Sequence, residues 1–151
     1  MRFNMTIRAV ALLVALRFAL PVLADPELDA ARARWQQAGL VSYEYGYNKY
    51  CDCHRENPPE TVVTVRSGKV TGVRHRPVGT TTEVPAAEKN LGYYWTVDEL
   101  FALVASALER GVQVRVAYDA ELGFPRQIYI DYDAKLIGDE LDLRLTGVTR
   151  L

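Results

Sequence analysis

After residue 40, apolar and polar side chains trade places every second residue in segment after segment, and this alternation constrains the fold of the chain more than any other feature. A period of two belongs to the β-strand, whose successive side chains point to opposite faces of a sheet. In Val41–Tyr50, Tyr43, Tyr45 and Tyr47 share one face while Ser42, Glu44 and Asn48 share the other. Thr61–Arg66 and Lys69–Arg76 flank the turn pair Ser67-Gly68 and read as a hairpin, which makes a three-stranded meander with the first segment. Further on, Val112, Val114, Val116 and Tyr118 alternate with Gln113, Arg115 and Ala117. Ile128, Ile130 and Tyr132 alternate with Gln127, Tyr129 and Asp131, and Leu141, Leu143 and Leu145 with Asp142, Arg144 and Thr146. One apolar and one mostly polar face is the pattern of an antiparallel sheet covered on one side only.

Two segments of helical period supply the cover. In Pro26–Ala38, Leu28, Ala31, Trp35 and Ala38 recur at intervals of three and four, which builds one apolar stripe. Asp25 and Pro26 suit the cap and first turn, Gly39 suits the stop, and Trp35 is the anchor, worth on the order of 1.5–3 kcal/mol on burial. Val97–Arg110 is better specified. Thr96 and Glu99 form a reciprocal capping box, Trp95 can staple onto Leu100, and Val97, Leu100, Phe101, Val104 and Leu108 make the buried stripe before Gly111 ends the helix. The order α-β-β-β-α-β-β-β predicts an α+β fold, an antiparallel sheet with two helices on one face. The halves hint at a duplicated αβββ unit, although their residues do not match well enough to establish a repeat.

The first 24 residues follow a different logic. Arg2 and Arg8 bound the start of an apolar run, Ala9–Leu20, interrupted by Arg17, and Val22-Leu23-Ala24 presents the positions a signal peptidase inspects just before Asp25. Residues 1–24 therefore read as a cleavable signal peptide and 25–151 as a single domain, periplasmic or secreted, with a buried amphipathic helix as the competing reading. The run is too short to be a stable membrane anchor. Removing Arg2, Arg8 and Arg17 leaves 15 basic residues against 19 acidic, a formal charge of −4 in place of −1, which gives no electrostatic reason to expect a nucleic-acid partner.

The chain resembles a family of small bacterial exported proteins catalogued as domain of unknown function 6174. The resemblance runs from about residue 29 to 149 and rests on ARARWQQAGLVSYEYGY followed by CDC, on VVTVRSGKV, on TVDELFALV, and on YDAELGFPRQIYIDYD followed by GDE. It implies export, often as a lipoprotein, and a small α+β build; it implies no enzymatic activity, cofactor or catalytic residue. Two departures stand out: Asp25 occupies the place of a lipidated cysteine, and His54 directly follows the cysteine pair.

Few residues invite chemistry. Cys51 and Cys53 are the only cysteines. In an extended strand their side chains face the same way, with Cα atoms about 6.6 Å apart, so a structural disulfide between them needs some local bending. An oxidising compartment favours that bond. A redox-active pair, a metal site recruiting His54 and His75, and intermolecular pairing are the alternatives. His75 by itself reads as an exposed strand residue. Asp131, Asp133, Asp139, Glu140 and Asp142 raise calcium, but the twelve-residue loop pattern is missing, and solvated loop acids are the simpler account. No nucleophile elbow, phosphate-binding glycine loop or HExxH pattern occurs.

The connection Pro77–Trp95 lacks a clear element, and connections that long are commonly binding loops. It ends in Tyr93 and Tyr94, aromatic side chains suited to recognition, and these are the candidate interaction residues. Together with Arg115, Tyr129 and Arg144 on the polar sheet face, they lead to the expectation of a non-catalytic binding or interaction protein of the cell envelope. Its partner would be an envelope protein or a small ligand, with no cofactor. A small thiol–disulfide or metal-binding protein centred on Cys51, Cys53 and His54 is the alternative.

Overall fold

The computed structural model describes residues 25–50 and 60–151, and within them the expected α+β fold is realised. Helix α1 spans Pro26–Ala38, and the Asp25 carboxylate accepts from the backbone N–H groups of Glu27 and Leu28. Gly39 ends it in the left-handed region, φ 60°. Strands β1 (Tyr43–Tyr50), β2 (Glu60–Arg66) and β3 (Lys69–Arg76) form the first meander. Helix α2 (Val97–Glu109) follows, with both arms of its capping box made between Thr96 and Glu99. Strands β5 (Gln113–Tyr118), β6 (Pro125–Asp131) and β7 (Leu141–Arg150) complete the sheet.

The connection from Pro77 to Trp95 departs from expectation. It contains a two-residue strand β4 (Val84–Pro85), paired with β3 through His75 and Arg74, and a 3-10 turn over Glu88–Tyr93. The Ala86 N–H donates to the Val73 carbonyl at 2.9 Å, so the connection is tied to the sheet.

The seven strands lie in the order β4-β3-β2-β1-β7-β6-β5, with every pairing antiparallel. This order bears on the hint of duplication. In the first half the strand that follows the helix, β1, is central; in the second half the strand that follows the helix, β5, is at the edge. One meander runs outward and the other inward, so the halves are not two copies of one topology.

The helices cover the face bearing Tyr43, Tyr45, Val63, Val65, Ile128, Ile130, Leu143 and Leu145, all buried. Trp35 is 2 % exposed and meets Tyr43 edge-on, ring centroids 5.1 Å apart. The Tyr43 hydroxyl accepts from the Val97 N–H at 2.9 Å, and the Tyr45 hydroxyl donates to the Trp95 carbonyl. Two core tyrosines on β1 thus fasten the start of α2 to the sheet. Burial raises the Tyr43 hydroxyl to about 12 and pushes Tyr45 up as well. One expectation fails at the rim: Leu108, placed in the buried stripe of α2, is half-exposed, and Ala107 takes the buried position.

Candidate interaction surface

Tyr93 and Tyr94 part company. Tyr93 closes the 3-10 turn and is 73 % exposed. Tyr94 is half-buried: its ring lies 5.3 Å from that of Tyr47, edge to face, and its hydroxyl sits 3.3 Å from His75 Nε2. The sheet register assembles this group. Tyr47 is opposite Thr61 and Thr61 opposite His75, so the three share one row on the helix-covered face, and Tyr94 lies over both ends of it.

Thr61 Oγ1 is 3.0 Å from His75 Nδ1, so both ring nitrogens of His75 are engaged. His75 is therefore half-buried rather than the exposed strand residue its position suggested, because Tyr94 folds back onto it. The Tyr47 hydroxyl is buried with no hydrogen-bond partner among the described residues, and desolvation raises its pKa. Tyr94 thus has a packing role, and Tyr93 alone projects from the connection as a free aromatic side chain.

The opposite face of the sheet carries the second group. Arg115 pairs with Tyr129, Tyr129 with Asp142, and Asp142 with Tyr50, giving a row across β5, β6, β7 and β1. In the neighbouring row Gln127 pairs with Arg144 and Arg144 with Asn48. The Arg115 guanidinium lies over the Tyr129 ring at 4.2 Å from its centroid, and that of Arg144 over Tyr50 at 4.7 Å. Such stacks hold a cation in place by its attraction to the ring's negative face, at about 0.5–1 kcal/mol on a surface. Arg115 has no carboxylate partner among the described residues, whereas Arg144 reaches Asp142 at 3.5 Å. Tyr50 was not singled out from sequence, yet its even number gives it the parity of Glu44 and Asn48.

Nearer the other edge, the same face is already satisfied by its own charges. Arg74 bridges Glu44 at 3.0 Å and Glu83 at 2.8 Å, and the Thr64 hydroxyl donates to Glu44 at 2.7 Å. Hydrogen bonds from Arg74 and Thr64 hold the Glu44 carboxyl below its usual value. In the arginine–tyrosine half, Arg144 shares Asp142, and Arg115 is the stacked cation without a carboxylate partner among the described residues.

Of the acids raised for calcium, three have local roles, while Asp131 and Asp139 each keep a buried oxygen with no hydrogen-bond partner among the described residues. Asp133 accepts from the Lys135 N–H, Glu140 from the Gly138 N–H, and Asp142 from the Gln127 amide at 3.4 Å. Among the described residues no three His, Cys, Asp or Glu side chains converge as a metal site. Cys51, Cys53 and His54, with the disulfide expected of the pair, lie outside the described residues, as does the signal peptide of residues 1–24. Among the described residues no helix is long and apolar enough to cross a membrane.

A family model described as a family of unknown function (DUF6174) matches residues 27–150. No curated protein and no solved structure matches the chain.

Proposed function

Because the chain belongs to the family of unknown function DUF6174, a membership that assigns no chemistry, we propose from its surface that it is a non-catalytic binding module of the bacterial cell envelope. The observation that carries the reading is the pair of stacked arginines on the uncovered sheet face, Arg115 over Tyr129 and Arg144 over Tyr50. Stacked over Tyr129, the Arg115 guanidinium keeps its N–H edge available while its plane is fixed, so little side-chain entropy remains to be lost on binding. The partner it suits presents carboxylates or another anion to a flat surface. Tyr93, exposed on the connection between β3 and α2, adds an aromatic contact elsewhere on the molecule.

Envelope location follows from the leader-like residues 1–24 and is tested separately. The mass of protein recovered from a secreting bacterium should correspond to a chain starting at Asp25, and recovery of the uncut chain in the cytosol would overturn it. Thiol counting under alkylating, non-reducing conditions on the same sample decides whether Cys51 and Cys53 are bonded.

For binding, an affinity pull-down from native envelope is run with the unmodified protein, with an Arg115→Ala/Arg144→Ala double variant, and with Tyr93→Ala. The expected result is loss of the same partner with the arginine double variant while circular dichroism stays unchanged. Retention of every specific partner by the folded double variant would refute the reading.

A further inference from the structure

We propose that the free edge of β5 is a docking site for an extended, basic segment of a partner protein, which adds to the sheet as an eighth strand. The inference rests on the reading of a binding module and uses the edge of the sheet, which meets the arginine–tyrosine face at Arg115.

The two edges of the sheet are built differently. At one edge β4 is only two residues long and contains Pro85, whose nitrogen has no hydrogen to donate, so a further strand finds little to pair with. At the other edge β5 runs for six residues without a proline; β6 occupies one side of it, and among the described residues no strand pairs with the other. An edge left in this state is the template that strand addition uses: main-chain hydrogen bonds supply affinity and pockets for alternate side chains supply selectivity.

The pocket is present. A cavity of about 270 Å³ lies between β5 and α2, walled by Leu108, Val114, Val116 and Tyr118. All four are half-exposed, although the sequence pattern assigns them to covered positions. Their exposure has one cause: the sheet stops at β5, so the last apolar side chains of α2 and β5 overhang the edge. An added strand would place every second side chain over this groove and the others beside Gln113, Arg115 and Ala117 on the open face.

Charge selects the occupant. Asp25 and Glu27, at the start of α1, line the same cavity, as does Arg115, whose guanidinium is stacked over Tyr129. Asp25 is engaged in capping α1 and, on a chain cut before it, also carries the terminal ammonium, so the attraction rests on the Glu27 carboxylate, which makes no hydrogen bond or ion pair among the described residues. A basic side chain on the groove face of the incoming strand meets this carboxylate. A second copy of this chain is a poorer fit. Antiparallel pairing of β5 with itself brings two sets of Asp25 and Glu27 to one seam, and centred on Arg115 it sets two arginines directly opposite each other.

The test uses two synthetic peptides. In Lys-Thr-Val-Thr-Val-Thr-Lys, both ends blocked, the two valines and both lysines share one face in either strand direction; Glu-Thr-Val-Thr-Val-Thr-Glu is its charge reversal. Each is titrated into the purified protein while backbone amide resonances are followed. The lysine peptide should bind saturably, with shifts and slowed amide exchange concentrated in residues 113–118, and the glutamate peptide should bind at least about five-fold more weakly, the scale of one exposed ion pair.

Val116→Lys puts a charge into the groove and should abolish saturation. Glu27→Lys, a helix-surface change that does not depend on Val116 packing, should weaken binding about five-fold. No saturable binding, shifts centred away from β5, equal affinity for both peptides, or concentration-dependent self-association through β5 would each overturn the proposal. An Arg144→Ala variant, altered on β7 and outside the groove, should still bind the lysine peptide, so failure here is distinct from failure of the open-face reading.

Discussion

Gly123 is the position at which a single methyl group should do most damage. It lies in the turn between β5 and β6, which is tied together by the Asp119 N–H donating to the Phe124 carbonyl and the Asp119 carboxylate accepting from Glu121 and Leu122. The turn sits directly against α1. A Cβ at Gly123 would come within 2.2 Å of the Ala31 carbonyl oxygen and 2.9 Å of Arg34 Cβ, and the backbone there has φ +82°. Alanine therefore incurs two costs. The left-handed backbone costs about 1–2 kcal/mol, and forcing α1 away from the turn costs about 1–3 kcal/mol as overpacking. The sum is about 2–5 kcal/mol.

Gly39 is the internal control. Its φ is +60°, but no neighbouring atom lies within 4 Å of the added carbon, so Gly39→Ala incurs the backbone cost alone. The reduced freedom of the unfolded chain, about 0.4–1 kcal/mol in favour of alanine, is common to both and cancels in the difference. Urea denaturation followed by tryptophan fluorescence and far-ultraviolet circular dichroism measures each variant. If Gly123→Ala is no less stable than Gly39→Ala, the close approach of α1 to this turn is refuted.

Three further outcomes follow from buried and paired groups. Tyr43→Phe leaves the buried Val97 N–H without its acceptor and should cost about 1–3 kcal/mol in equilibrium unfolding. At high pH the buried tyrosines ionise more readily in the unfolded chain than in the folded one, because burial raises Tyr43, Tyr45, Tyr47 and Tyr118. Stability should thus decline as pH rises above about 10, as measured by urea denaturation at stepped pH with far-ultraviolet circular dichroism. Glu44 has the opposite sign: its lowered pKa contributes stability that is present above about pH 4.3 and fades as pH falls through the folded-state value. Glu44→Gln should therefore flatten the acid limb of stability against pH, at a cost below about 1 kcal/mol at neutral pH, since both partners are partly exposed.

Particular residues show how far periodicity carries. The alternation Leu141, Leu143, Leu145 reveals the start of β7 but misplaces its end, because Gly147, at φ 61°, interrupts the parity where the register with β1 shifts between Glu44 and Gly46. Beyond it the even-numbered Val148 packs against the core, and the strand continues to Arg150. Strand β4 is too short to have a period and owes its existence to β3. Leu108, Val114 and Val116 are assigned correctly to the apolar face, yet periodicity says which way a side chain points and not whether anything stands in front of it. That depends on strand order, which is a non-local property. The same gap hides the Tyr47, Thr61, His75 and Tyr94 group, whose members become neighbours only through the register of three strands and the return of a distant turn.

The place of β7 between β1 and β6 also has a consequence in time. It is synthesised after the other described strands, and β1 pairs with it over a long separation, from Tyr43 to Arg150. Until residues 141–150 emerge, the chain holds two unfinished blocks, one ending in the bare side of β1 and the other in the bare side of β6. Neither can complete the tyrosine-lined core, and pairing over so long a separation is intrinsically slow. A ribosome-bound fragment stopped before residue 141 should accordingly remain open to protease, and release of β7 should trigger protection of both blocks together. On the reading of an exported chain, this delay keeps the polypeptide threadable until β7 has been made.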